Sequence, residues 1–292
     1  MKNQTIVLIA FVAVSAFSPA APAQEKQGAQ ASIPFPAGWK PCPRCQNNED
    51  RRQDTTRYNV PGHRFDPHDL TGVWGYDGIS RAFDKAPELT PAGKQQHDAT
   101  IGEKAPDGTP LHSKDTSGRG AGAKINCDPL GWPRLYTYNY GFEFIMLPDR
   151  VIQFFELNHT FRTIWTDGRK LPDDPPSPRW LGWSVGHWEG DTFVVESSGY
   201  DERPWLDASR PDGGWIHSEE MRVVERYRRV DFGTLESEVT VIDPKTYKEP
   251  WVTPKAVTKL VPGAELGEEF CVPSDYSQFN DDFLTISGAK KK

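Results

Sequence analysis

Between residues 140 and 260, apolar and polar side chains alternate in short runs, and most runs end at a turn. Asp167-Gly168 and Asp231-Phe232-Gly233 are typical of the tight turns that join antiparallel strands. Because side chains alternate across a strand, such runs bury one face and leave the other in water. With one earlier run, the strands predicted are 69–76, 142–147, 151–157, 160–166, 180–188, 192–198, 220–230, 234–242 and 252–260.

Strands joined in sequence by short turns form an antiparallel meander, and a meander of this length must protect its edges. We therefore predict an all-β fold in which an up-and-down meander closes into a lipocalin-like barrel. A β-sandwich is the alternative. One short helix is expected from Pro91 to His97, since Thr90 suits a helix cap and proline suits the first helical position.

The N-terminus has the three parts of a secretory signal peptide: Lys2, an apolar run from Ile6 to Phe17, and a small-residue cleavage site at 21–23. The apolar run is shorter than the roughly 20 residues that span a bilayer, so we expect cleavage and no membrane span in the mature protein. The predicted organisation is a signal peptide at 1–23, an irregular arm at 24–68, a β-barrel domain at 69–273 and a C-terminal tail at 274–292. We expect a periplasmic or secreted protein.

Composition restricts the class of partner. The net charge of -7 is spread along the chain without a basic block, which argues against a nucleic-acid-binding surface. Ten Trp, nine Tyr and fifteen Phe are many aromatic residues for this length, and aromatic side chains favour strands and also line small-molecule sites. No cofactor-binding motif is present in the sequence, so no cofactor is expected. The oligomeric state stays open.

Four cysteines predict disulfides in an oxidising compartment. Cys42 and Cys45 are close enough to pair with each other, and Cys127 and Cys271 flank the strand-rich region. With His63 and His68, the first two cysteines also form C-x2-C-x17-H-x4-H, which is close to zinc-site spacing. An oxidising compartment favours the disulfide over the metal, so we expect no metal site.

Counting by two along strand 220–230 puts Glu225 on the same inward face as Met221, Val223 and Tyr227. A carboxylate on a buried face is costly unless it is paired, and Arg162 is the candidate partner by residue type. Either face of the Arg162 strand could point inward. The pair could belong to a ligand site formed by Arg162, Trp165, Glu225 and Tyr227, or it could be a structural ion pair.

Two residues are candidates for acid–base chemistry. Glu225 is one, because a carboxyl group on an inward face can serve as a general acid or base. His217 is the other, because imidazole titrates near neutral pH. A hydrogen-bonded loop histidine is the alternative for His217. The sequence does not decide whether the protein is an enzyme.

Several motifs together resemble a large, uncharacterised family of secreted bacterial proteins that has many paralogues in soil bacteria. The motifs are DLTGVW at 69–74, CDPLGWPR at 127–134, PDRV at 148–151, FRTIWTDGR at 161–169, WEGDT at 188–192, HS at 217–218, DPKTY at 243–247, PW at 250–251 and EFC at 269–271. This resemblance supplies no established activity.

A second resemblance is to lipocalin-like (calycin) barrels. Gly72-Val73-Trp74 is similar to the G-x-W of their first strand. The resemblance implies a cup for a small, largely apolar ligand, and an arginine late in the chain that packs on Trp74. The sequence leaves that arginine unassigned.

Three functional hypotheses follow. The first is an exported protein that binds a small apolar or aromatic molecule inside the barrel. The second is an enzyme that uses the buried Glu225–Arg162 pair in the same cavity. The third is a structural envelope protein.

Overall fold

One curled β-sheet dominates the part of the chain described by the computed structural model, namely residues 64–75, 86–102, 104, 106–107, 114–115, 117, 127–138, 140–207, 214–262 and 264–272. These residues all belong to the compact unit Pro43–Lys292. The predicted signal peptide, most of the arm, Cys42, Cys45, His63 and the C-terminal tail lie outside the described residues.

Ten strands form this sheet within the described ranges. They are β1 (Gly72–Trp74), β2 (Phe142–Met146), β3 (Arg150–Phe155), β4 (Phe161–Trp165), β5 (Trp183–Glu189), β6 (Thr192–Ser198), β7 (Arg222–Asp231), β8 (Thr234–Ile242), β9 (Trp251–Val252) and β10 (Ala256–Lys259). Neighbours follow chain order from β1 to β8, after which β9 and β10 both pair with β8. The prediction of an all-β, antiparallel-rich fold with barrel-like curvature is confirmed.

The two ends of the sheet meet. Trp74 of β1 forms an antiparallel bridge with Leu260, directly after β10. The Gly75 amide donates to the Lys259 carbonyl at 3.0 Å, and the Val261 amide donates to the Val73 carbonyl at 2.8 Å. These bonds satisfy backbone groups that an open edge would leave unpaired.

One pairing departs from the predicted meander. Strands β4 and β5 are parallel, with Ile164 opposite Ser184 and Trp165 opposite Val185. The connection between them, residues 166–182, is long enough to carry the chain back to the other end of the sheet. Parallel neighbours require such a long connection, whereas a tight turn produces an antiparallel pair.

The final predicted strand, 252–260, is divided into β9 and β10. Pro254 lies in the gap and has no amide hydrogen to donate to a neighbouring strand. Thr253 compensates locally, because its hydroxyl accepts from the Val239 amide at 2.9 Å and its own amide donates to the Val239 carbonyl at 2.8 Å.

The predicted short helix is present as α1 (Pro91–Thr100). The Thr90 hydroxyl accepts from the Gly93 amide at 3.0 Å, as expected of a cap. The Thr90 amide donates to the Thr246 carbonyl at 3.0 Å, which holds the start of the helix against the chain that follows β8. Among the described residues, no helix has both the length and the apolar character needed to cross a membrane.

Arg229 of β7 packs on the first-strand tryptophan, with its Cζ 5.4 Å from the Trp74 ring centroid. Its guanidinium also donates to the Asp69 carbonyl at 2.6 Å and to the Phe232 carbonyl at 2.6 Å. This is the contact that the lipocalin resemblance implies and that the sequence left unassigned. It joins β7 to the chain segment that enters β1.

A disulfide joins Cys127 to Cys271 across 144 positions of sequence, a connectivity that the sequence alone left open. A disulfide is typical of proteins that fold in an oxidising compartment. Cys127 begins the stretch 127–138, here called the tethered segment, which includes a short 3-10 helix at Arg134–Thr137. Cys271 lies two residues after Glu269, which forms an isolated parallel β-bridge with Leu157.

Removing the disulfide should destabilise the fold. For Cys127→Ser/Cys271→Ser we expect a loss of about 2–5 kcal/mol in the free energy of unfolding, because the cross-link restricts a long loop of the unfolded chain. Urea unfolding followed by tryptophan fluorescence measures this. An unchanged midpoint and slope would contradict the expectation.

Removing the Arg229 guanidinium should weaken the junction between β7 and β1. For Arg229→Ala we expect a loss of about 2 kcal/mol, since the cation–π contact disappears and the Asp69 and Phe232 carbonyls lose their donor. Arg229→Lys keeps the charge without the forked donor geometry and should recover only part of this loss. Equal stability of the alanine variant and the wild type in urea unfolding would refute the assignment.

Candidate functional site

Six consecutive strands, β3 to β8, each place at least one buried polar side chain on the inward face of the curled sheet. We call this set the polar belt, and none of its members is more than 3 % exposed. Its members are Gln153, Arg162, Ser184, Ser197, Glu225 and Ser237. Burying polar groups is costly, so a set of this size at the centre of a domain requires compensating hydrogen bonds.

An ion pair crosses the interior of the sheet between β4 and β7. Arg162 Nη1 donates to Glu225 Oε1 at 2.7 Å, and Arg162 Nη2 donates to Glu225 Oε2 at 2.5 Å. Strands β5 and β6 lie between the two along the sheet, so the pair connects opposite walls. The two parallel bonds are the fork geometry in which arginine binds a carboxylate most strongly.

Two further side chains complete the bonding of this pair. Gln153 Oε1 accepts from Arg162 Nε at 2.8 Å and from Nη2 at 2.6 Å. The Tyr227 hydroxyl donates to Glu225 Oε2 at 2.6 Å. Burial raises the pKa of Tyr227 well above its ordinary value, so the phenol stays protonated as a donor. Burial alone would lower the pKa of Arg162, but the Glu225 carboxylate outweighs it and the pKa is raised.

The tethered segment covers this network. The Trp132 ring lies against Arg162, with 4.0 Å between its centroid and the guanidinium carbon. The Tyr136 hydroxyl is 2.9 Å from Ser237 Oγ of the belt, and its ring contacts Phe142 and Tyr227. Aromatic side chains of this segment thus cover one side of the belt.

Two nitrogen atoms next to the ion pair lack a partner. Gln153 Nε2 and Trp132 Nε1 are both buried and have no hydrogen-bond partner among the described residues. Gln153 is 0 % exposed and Trp132 is 1 % exposed. Both side chains touch Arg162, Gln153 through its Oε1 and Trp132 through the face of its ring.

Three of the four predicted ligand-site residues lie in this network: Arg162, Glu225 and Tyr227. The ambiguity about the Arg162 strand is resolved, since Arg162 and Ile164 are the buried face of β4. Trp165 therefore points to the opposite face. Its ring contacts the guanidinium groups of Arg150 and Arg169, whose Cζ atoms lie 4.3 and 3.6 Å from the ring centroid.

His217 is buried but lies outside the hydrogen-bond network that joins Arg162 to Glu225. Its Nδ1 is 3.1 Å from the Ser218 carbonyl, and its ring meets Tyr200 edge-on at 6.1 Å. Burial lowers the pKa of His217, which favours neutral imidazole. These contacts fit the alternative of a hydrogen-bonded loop histidine.

Sequence reasoning missed Gln153, Trp132 and Tyr136. Counting by two from Val151 to Phe155 puts Gln153 on an inward face, so strand alternation carried a signal for it. The other two come from the tethered segment, which has no strand periodicity to indicate where its side chains point.

Of the four suggested zinc ligands, only His68 is among the described residues. Its ring stacks on Trp188 at 4.4 Å, and its Nε2 is 3.0 Å from the Gly190 carbonyl. Within the described part of the chain, no group of three or more His, Cys, Asp or Glu residues is arranged to hold a metal ion.

Breaking the ion pair from one side should be severe. For Glu225→Leu or Arg162→Met we expect a loss of about 3–5 kcal/mol, because each single change removes one charge of a buried pair. The double variant Arg162→Met/Glu225→Leu should lose less than the sum of the two single variants. Urea unfolding of all four proteins gives the coupling energy, and additive losses would contradict a direct pair.

Comparison of the chain with models of protein families, with curated proteins and with solved structures finds no match.

Proposed function

We propose that this protein is an exported, soluble binding protein that takes up a small apolar or aromatic molecule inside its curled sheet. The observation that carries the proposal is the pair of unpaired donors, Gln153 Nε2 and Trp132 Nε1, beside a fully bonded ion pair. A buried donor without a partner costs about 1–3 kcal/mol. A bound molecule that accepts from these donors would recover that cost.

The surroundings of the donors suit a largely apolar ligand. Phe142, Phe144, Phe155 and Tyr227 are all buried on the same inward face, each no more than 3 % exposed. Small-molecule sites are typically lined by such side chains, with a few polar groups that fix the orientation of the ligand. The polar belt supplies those groups.

The bonding of Glu225 favours binding over catalysis. Its two oxygens accept from Arg162 Nη1, Arg162 Nη2 and the Tyr227 hydroxyl. A general base needs a lone pair directed at the substrate, and a carboxylate with three donors is poorly suited to accept a further proton. Arg162 is likewise engaged with both Glu225 and Gln153, which leaves it poorly placed to stabilise a developing anion.

Two features of the chain support export from the cytoplasm. The Cys127–Cys271 disulfide suits an oxidising environment, and the N-terminal residues have the pattern of a secretory signal. A periplasmic or extracellular binding protein is the interpretation that joins both observations.

A neutral hydrophobic dye tests the proposal. The fluorescence of N-phenyl-1-naphthylamine should rise when the protein is added. The substitution Val195→Phe should weaken binding of the dye about tenfold, because the larger side chain would fill the interior beside Glu225. Val195 is buried and pairs with Glu225, whereas Glu196 is on the exposed face of the same strand, so Glu196→Phe is the matched control.

Native mass spectrometry of protein purified from periplasm provides a second measurement, in which a co-purified molecule of low mass is expected. The proposal fails if no adduct is seen and the dye either does not bind or binds both phenylalanine variants as well as the wild type. Circular dichroism confirms that the variants are folded.

A further inference from the structure

We propose that the ligand is electrically neutral and presents a carbonyl-type acceptor oxygen to Gln153 Nε2 and Trp132 Nε1. This inference rests on the proposed function, since it names the chemical class of the molecule that enters the sheet.

Both nitrogens are donors only. An indole N–H cannot accept, and an amide NH2 cannot accept. The orientation of the Gln153 amide is fixed by its neighbour, because Oε1 accepts from Arg162 Nε and Nη2 at 2.8 and 2.6 Å. Rotating the amide by half a turn would put NH2 against the guanidinium, donor against donor. The ligand atom that meets Gln153 Nε2 must therefore be an acceptor.

Charge balance excludes an anion as the best ligand. The single positive charge of Arg162 is matched by the Glu225 carboxylate through two short bonds. The other buried arginines are engaged elsewhere: Arg134 is paired with Asp115 at 2.8 Å, and Arg229 donates to the Asp69 and Phe232 carbonyls. A carboxylate ligand would bring an uncompensated charge into the interior, which is costly. A cation is disfavoured as well, because it would face the positive ends of two N–H donors.

A neutral oxygen satisfies both constraints. A ketone, ester or amide carbonyl has two lone pairs and no charge, so one such oxygen is able to accept from two donors. The apolar remainder of the molecule would then contact the aromatic side chains of the inward face. A hydrocarbon of the same shape would leave both donors unpaired.

Three probes of similar size separate these cases: acetophenone, ethylbenzene and benzoate, each titrated into the purified protein at neutral pH by calorimetry. We expect acetophenone to bind at least about tenfold more tightly than ethylbenzene and than benzoate, since a site built to hydrogen-bond rejects a molecule that cannot.

Trp132→Phe keeps an aromatic ring against Arg162 and removes only the N–H. It should reduce the preference for acetophenone over ethylbenzene about fivefold to tenfold without weakening ethylbenzene. Trp183→Phe is the matched control, because the Trp183 N–H already donates to the Ser177 carbonyl at 3.0 Å. The control should leave the preference unchanged.

The outcomes distinguish this inference from the proposed function. Equal binding of acetophenone and ethylbenzene, a preference for benzoate, or a Trp132→Phe variant with the full acetophenone preference would each overturn the inference while a binding site remains. If the naphthylamine dye binds and none of the three probes does, the inference also fails. If neither the dye nor any probe binds and native mass spectrometry shows no adduct, the proposed function fails with it.

Discussion

The ion pair between Arg162 and Glu225 is the constraint on which the interior depends. Each charge is almost fully removed from water, with exposures of 3 % and 0 %. Such burial is tolerated only when the partner and the remaining lone pairs and protons are satisfied together. Gln153 and Tyr227 provide the extra bonds. Because the pair joins β4 to β7, its geometry requires the sheet to curl so that opposite walls approach each other.

The tethered segment gives this interior its second wall. Trp132 and Tyr136 come from a stretch without strand pairing, and they reach the belt through Arg162 and Ser237. The disulfide at Cys127 fixes the start of this stretch covalently. The Trp132 ring lies against the Arg162 guanidinium, so the segment contributes to the removal of this charge from water.

A buried ion pair by itself does not identify a function, because structural pairs look the same. What distinguishes this interior is that the charged groups are well bonded while two neutral donors beside them, on Gln153 and Trp132, are not. That asymmetry is the observation behind the proposal that the interior recognises an acceptor atom. His217 and Trp165, which sequence patterns also singled out, face other surroundings.

Strand alternation alone determined much of this protein. It predicted the all-β class, the inward face of β7 with Glu225 and Tyr227, and the type of partner that Glu225 needs, because these follow from local periodicity and from the cost of burying a charge. Tertiary structure decided which face of β4 points inward, that β4 and β5 run parallel, and that Arg229 packs on Trp74. It also decided that Trp132 lies on Arg162. Each of these joins residues far apart in sequence, and no local pattern encodes contacts that form only when the sheet has curled.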